Sequence, residues 1–189
     1  MIFGVHIGWE IPNGQFEGLL AFVFVATYAN GIYGLAISRF LPRRLAALRT
    51  QVIFEQIPMR RGHLVAKVQT LLDQIPPGSE TLKRFYINRV AEFFQQPRSI
   101  RFFLAPSARD SRRLIDDLIS LDRYLSAVDR DVARQLMQMI REKDDLDYHW
   151  AIQSRLKYWL FAHIALTCSL LILGALHGVL AQAFAGGVR

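Results

Sequence analysis

The chain has 189 residues, 52% of them hydrophobic and 21% charged, with 23 Lys and Arg against 16 Asp and Glu for a net charge of +7. That length allows one or two domains, and this composition implies apolar and charged regions kept apart rather than an evenly mixed globule. A single cysteine, Cys168, excludes an intrachain disulfide framework and a cysteine-rich metal site.

Residues 1 to 15 read as a short external segment in which Trp9 would sit as an interfacial anchor. Phe16 to Ser38 then runs for about 23 residues with one charge, Glu17, and exceeds the roughly 20 apolar residues that cross a bilayer core. No Lys or Arg precedes it and no small-residue cleavage pattern follows. It is therefore expected to be a retained first span (16 to 38) rather than a secretory signal.

Between Arg39 and Lys157 lie 22 of the 23 basic residues, against 14 acidic ones, a local net charge of +8. Arg39, Arg43, Arg44 and Arg49 follow the first span, and Arg141, Lys143, Arg155 and Lys157 precede the second. By the positive-inside rule this region is cytoplasmic and both termini are outside, as in a multi-pass protein of a bacterial-type inner membrane. The excess charge is what such a topology requires, and no nucleic-acid motif accompanies it. No nucleic-acid partner is expected; anionic membrane lipid or an acidic soluble partner accounts for the charge.

Apolar residues in this region recur at three and four, so residues 39 to 157 are expected to form a basic helical domain. A first helix is expected over Arg43 to Gln56, ended by Pro58, and a second over Leu64 to Gln74, stopped by Pro76-Pro77-Gly78. Ser79 is placed to cap a third, whose buried side carries Leu82, Phe85, Tyr86, Val90, Phe93 and Phe94 and which Pro97 closes. Arg98 to Leu104 has no firm assignment.

Ser107-Ala-Arg-Asp110 has the form of a capping box. After it, Leu114, Leu118, Leu121, Leu125, Val128 and Val132 alternate spacings of four and three. Such a seam is either a coiled-coil contact with a second copy or the core stripe of an intrachain bundle. From Met137 the pattern continues without Pro or Gly until Gly174, which predicts one long helix entering the membrane. Glu142, Asp147 and His149 lie along it, as a proton relay, a quinone contact or simply a solvated face.

Tyr158 to Ala185 is the second span (158 to 185), about 28 uncharged residues with Tyr158 and Trp159 at its cytoplasmic edge, followed by an external tail, residues 186 to 189. Cys168 within it reads as a small packing residue. The span holds two histidines, His163 and His177, fourteen positions apart. At about 100° and 1.5 Å per residue the second ring returns to within about 40° of the first and lies about 21 Å along the axis. Thr167, Leu170, Gly174 and Ala181 share that side, and Gly174 and Gly178 leave room for a bulky group or a neighbouring helix to approach the backbone. Ionisable residues within a span mark a functional site by default.

The segment Trp159-Leu-Phe-Ala-His163 through His177-Gly178 resembles the membrane helices of di-haem b-type cytochromes, a class that includes quinol-oxidising cytochrome b subunits and the ferric reductase and NADPH oxidase family. Such a helix carries two histidines with thirteen residues between them, each binding one of two stacked haems. The segment also resembles the terminal membrane part of bacterial proteins that join such a helix to iron-sulfur or flavin modules. The likeness covers about 28 of 189 residues. It implies haem b, up to two groups, with His163 and His177 as iron ligands, Gly174 and Gly178 against the macrocycle, and Thr167 beside His163.

Span one contains no His, Met or Cys, so one chain completes neither iron. The missing axial ligands would come from a parallel second copy or from another histidine-bearing membrane subunit. On this reading the chain is the electron-transfer subunit of an oxidoreductase complex, is not catalytic alone, and docks a soluble redox protein through its cytoplasmic helices. Two alternatives remain open. The chain is a non-haem membrane scaffold or assembly subunit, with His177 bonded to Asn30 or Tyr33 of span one, or it conducts protons or ions.

Overall fold

A computed structural model describes residues 14–46, 51–75 and 80–185, and within them every regular element is helical. The chain divides into two compact units, one of Met1–Pro42 with Leu156–Arg189 and one of Arg43–Arg155. The expected helix running from the basic region into the second span is present as α7, Ala127–Ala185, and contributes to both units. The expected end segments, residues 1 to 13 with Trp9 and 186 to 189, lie outside the described residues, as do Ser79 and the Pro76-Pro77-Gly78 breaker.

In the first unit α1, Gln15–Ala46, packs on the far part of α7. Contacts occur in opposite chain order: Phe16 with His177, Thr27 with Leu166, Asn30 with His163. The pair is therefore antiparallel. Both helices are long and apolar enough to cross a membrane. Val23, Ile37 and Leu41 are buried, whereas Phe22, Leu171 and Phe184 are 70%, 69% and 78% exposed. Large side chains exposed at that density mark a surface suited to an apolar surrounding.

The second unit holds a core of its own. Helix α2, Ile57–Asp73, buries Leu64, Val68 and Leu71 at spacings of four and three. Next come α3, Glu80–Phe85, a π-helical turn, Tyr86–Val90, and α4, Ala91–Gln95. Leu82, Tyr86, Val90 and Phe94, all buried, recur strictly every four residues. In an ideal α-helix such a row drifts by about 40° per step, and the wider π turn takes up part of the drift. Short α5, Ile100–Leu104, α6, Arg109–Leu121, and the near part of α7 complete the unit.

Local expectations are corrected in two places. Pro58 does not end a helix but stands in the first turn of α2, where its missing N–H costs nothing. Residues 51–53 ahead of it are not helical, and Phe54–Gln56 is a single 3-10 turn. The Ser107–Asp110 box does not form either: α6 is preceded by Ala108 and has no side-chain cap, because Ser107 lies one residue too early. A serine cap does form at Ser126-Ala-Val-Asp129, where the Asp129 N–H donates to Ser126 Oγ at 3.2 Å, while the Ser126 hydroxyl donates to Asp129 Oδ2 at 2.8 Å.

For the heptad seam the structure decides between the two readings, in favour of the intrachain core stripe. Helix α6 stops at Leu121, Asp122–Tyr124 forms a 3-10 turn, and α7 begins at Ala127. Leu114, Leu118, Leu125 and Val132 are buried within the unit while Val128 is 54% exposed. The row is an intrachain core stripe spread over two helices. It does not make a continuous coiled-coil face.

Candidate functional site

The inward face of α7 in the first unit is read from alternating exposure. Trp159, His163, Leu166, Thr167, Leu170, Leu173 and His177 are half-buried, and the residues between them are exposed. Both histidines thus occupy the one face that the spacing predicts, and that face lies against α1. His163 Nδ1 is 3.3 Å from Asn30 Nδ2, and its ring stacks on Trp159 at 5.5 Å between centroids and 22° between planes. Trp159 Nε1 donates to the Asn30 carbonyl at 3.1 Å. His177 stacks on Phe16, centroids 6.2 Å apart. The expected bond from His177 to Asn30 or Tyr33 is replaced by these contacts, because antiparallel packing brings Asn30 level with His163 and Phe16 level with His177.

Gly34 permits the approach. A Cβ at that position would overlap the Trp159 indole, so only glycine lets the ring lie against the α1 backbone. Gly34→Ala should displace Trp159, break its bond to Asn30 and destabilise the helix pair by about 1–3 kcal/mol, the range for overpacking. Tryptophan emission and helix–helix crosslinking of the purified chain in detergent would report this. Unchanged emission and crosslinking would refute it.

Gly174 and Gly178 behave differently. A Cβ at either would meet nothing within 4 Å, so their backbone is open to a bulky group or another helix. They are exposed while His163 and His177 are half-buried, and so flank the histidine face rather than lie within it. Thr167 Oγ1 is buried with no hydrogen-bond partner. The neighbouring Thr27 Oγ1, by contrast, donates to Val23 O at 2.7 Å in the usual way for a helix. Cys168 is exposed rather than packed. Among the described residues no three His, Cys, Asp or Glu side chains converge as a metal-binding group.

A second constellation, in the Arg43–Arg155 unit, has almost no signal in the sequence beyond the Lys143/Asp147 pair at i and i+4. Asp147 is 1% exposed and meets three cations: Arg61 Nη2 at 2.6 Å, Arg98 Nε at 2.9 Å and Lys143 Nζ at 2.6 Å. Arg98 also binds Asp144 at 2.8 Å and Asp110 at 3.1 Å, and its guanidinium lies over the rings of Phe93 and Phe102. Ser111 Oγ donates to Asp144 Oδ2 at 2.8 Å. Arg61, Arg98 and Lys143 balance Asp110, Asp144 and Asp147, so this hub is neutral as a whole while tying α2, the turn before α5, α6 and α7 together.

Desolvation dominates the titration of Lys143 and Asp144. Burial lowers the Lys143 pKa despite its short contact with Asp147, and burial raises that of Asp144 despite Ser111 and Arg98. His149 is 2% exposed, with Gln153 Nε2 3.4 Å from its Nδ1, and Gln153 donates to Val52 O at 2.7 Å. A solvated face for Asp147 and His149 is therefore excluded, since both are interior; Glu142 alone of that trio is exposed. Interior packing of the helices around α7 hides residues that a single-helix projection places outside.

No family model, curated protein or solved structure matches this chain.

Proposed function

We propose that this chain is a membrane subunit of an electron-transfer complex, in which His163 and His177 each supply one axial ligand to a haem b iron. The observation that supports it most is the placement of both imidazoles on one face of a single continuous helix in an uncharged apolar segment. An iron-ligating imidazole needs its other nitrogen engaged, which orients the ring and raises its basicity. At His163 that nitrogen is Nδ1, beside the Asn30 side-chain amide. Turning the amide so that Oδ1 accepts from Nδ1–H leaves the Nε2 lone pair for a metal; the tryptophan bond goes to the Asn30 backbone and does not oppose that turn.

The donor set fits the group as half of its coordination. Imidazole is the ordinary axial ligand, the open backbone at Gly174 and Gly178 accepts a bulky planar edge, and the unpartnered Thr167 hydroxyl on the histidine face is a polar group available to it. Bound haem b would supply one-electron transfer. The residues of this chain orient the imidazoles, provide apolar walls that exclude water, and space the two ligands along the membrane normal. The remaining ligands come from a second copy or another histidine-bearing subunit. In this arrangement the Arg43–Arg155 unit is cytoplasmic, in a bacterial-type inner membrane, and both termini are outside.

The test is a reduced-minus-oxidised absorbance spectrum of the chain purified with its native partners. A b-type haem band is expected, and a colourless complex retaining all its subunits would sink the proposal. A scaffold role has support of its own, from the separate core of the Arg43–Arg155 unit, which is far larger than a haem anchor needs. It predicts that deletion of residues 64 to 134 abolishes partner association while membrane insertion persists.

A further inference from the structure

The buried charge hub has a consequence at the surface. Arg98, held between Phe93 and Phe102 and bonded to Asp144 and Asp147, fixes the start of α5, and Ser99 caps that helix through the Phe102 N–H at 3.4 Å. With Phe102 6% exposed and turned into the unit, α5 presents Ile100 and Leu104, four residues apart on one face, at 79% and 63% exposure. Among the described residues these are the most exposed aliphatic side chains of the Arg43–Arg155 unit.

In the neighbouring sequence the exposed charge is nearly all of one sign. Arg101 on α5 and Arg109, Arg112 and Arg113 on the first turns of α6 are exposed. The nearby acids Asp110 and Asp117 are engaged by Arg98 at 3.1 Å and Arg89 at 2.8 Å, which leaves Asp116, one turn further along, as the remaining acid of that stretch. We propose that this corner, residues 100 to 113, docks on an anionic phospholipid surface. Ile100 and Leu104 enter the acyl boundary, and the four arginines meet headgroup phosphates.

The chemistry favours lipid over an acidic protein. Two aliphatic tips on a five-residue helix fall far short of the roughly 800 Å² per partner that a specific protein interface buries. A bilayer surface accepts the same patch in small increments, through apolar insertion and attraction of each basic side chain to anionic headgroups. The proposal rests on the membrane-spanning reading of α1 and α7 and not on haem. A tether in the same bilayer raises the effective lipid concentration, so that even a weak patch engages.

The test uses the full chain in lipid nanodiscs, with Cys168→Ser and a fluorophore on Ser107→Cys, an exposed position beside the patch. Nitroxide-labelled acyl chains should quench the label several-fold more in discs containing phosphatidylglycerol than in phosphatidylcholine alone. Ile100→Ser with Leu104→Ser, or Arg101→Gln with Arg109→Gln and Arg112→Gln, should bring quenching down to the phosphatidylcholine level, whereas Arg84→Gln on α3 leaves it unchanged. A label equally quenched in both lipids, or unquenched in both, overturns the patch while the spanning reading survives. A chain that fails to enter the discs overturns the spanning reading, and the patch falls with it.

Discussion

Asp147→Ala is expected to destabilise the Arg43–Arg155 unit by about 3–5 kcal/mol, the range for removing one partner from a buried ionic cluster. Asp147 is the point on which Arg61, Arg98 and Lys143 converge, and it is 1% exposed. Without it Lys143, itself 5% exposed, has lost its carboxylate at 2.6 Å, and Arg98 retains Asp144 and Asp110. Since whole domains have only about 5–15 kcal/mol of stability, the variant should be close to unfolding. The far-ultraviolet thermal transition of the full chain in detergent measures this, and a loss below about 1 kcal/mol would mean that water reaches the hub.

Lys143→Met should behave in the opposite way. Its charged form is disfavoured by burial, and Asp147 keeps Arg61 and Arg98, so an apolar side chain of similar length should be close to neutral or stabilising at neutral pH. Below the ordinary lysine value there is a window in which the unfolded chain holds the Lys143 proton and the folded chain has released it. Stability contributed by this group therefore rises with pH across that window, and any advantage of Lys143→Met should shrink as pH is raised. An advantage that grows with pH would contradict the assignment.

The second large effect concerns the histidines. His163→Ala and His177→Ala should each remove one haem from the native complex, halving its content where two irons are present, and the double variant should remove both. An imidazole ligand cannot be replaced by a methyl group, and among the described residues no other His, Met or Cys lies on the half-buried face of α7 between residues 156 and 185. Each variant also has a structural cost. His163 is held by Asn30 and Trp159, so its loss also frees the Asn30 amide, and the loss of His177 removes its stacking on Phe16. Full haem content in both variants would show that the ligands lie elsewhere.

How much was legible in the sequence depended on whether a signal was local or tertiary. The two apolar segments, the continuous helix α7 and the common face of His163 and His177 all follow from composition and a 3.6-residue period, properties that one helix carries by itself. The Ser107 cap does not form because Ser-x-x-Asp occurs at both Ser107 and Ser126, and chain geometry decides which becomes a helix start. Pro58 was misread because proline ends a helix from within but opens one from its first turn.

The hub was illegible for another reason. Arg61, Arg98, Asp110 and Asp147 are far apart in sequence, and along α7 Asp147 looks like one more charge in a polar run. Only packing of the other helices turns that run inward. Asn30 is visible in the sequence as a polar residue of the first apolar segment, but its partner depends on helix register, which places it beside His163.

The most direct measurement is the ratio of haem b to chain in the complex purified from its native membrane, taken as the pyridine haemochrome. One haem per chain is predicted if a second copy completes the ligands, and two if a foreign subunit does. A complex with all its subunits present and no haem would contradict the account.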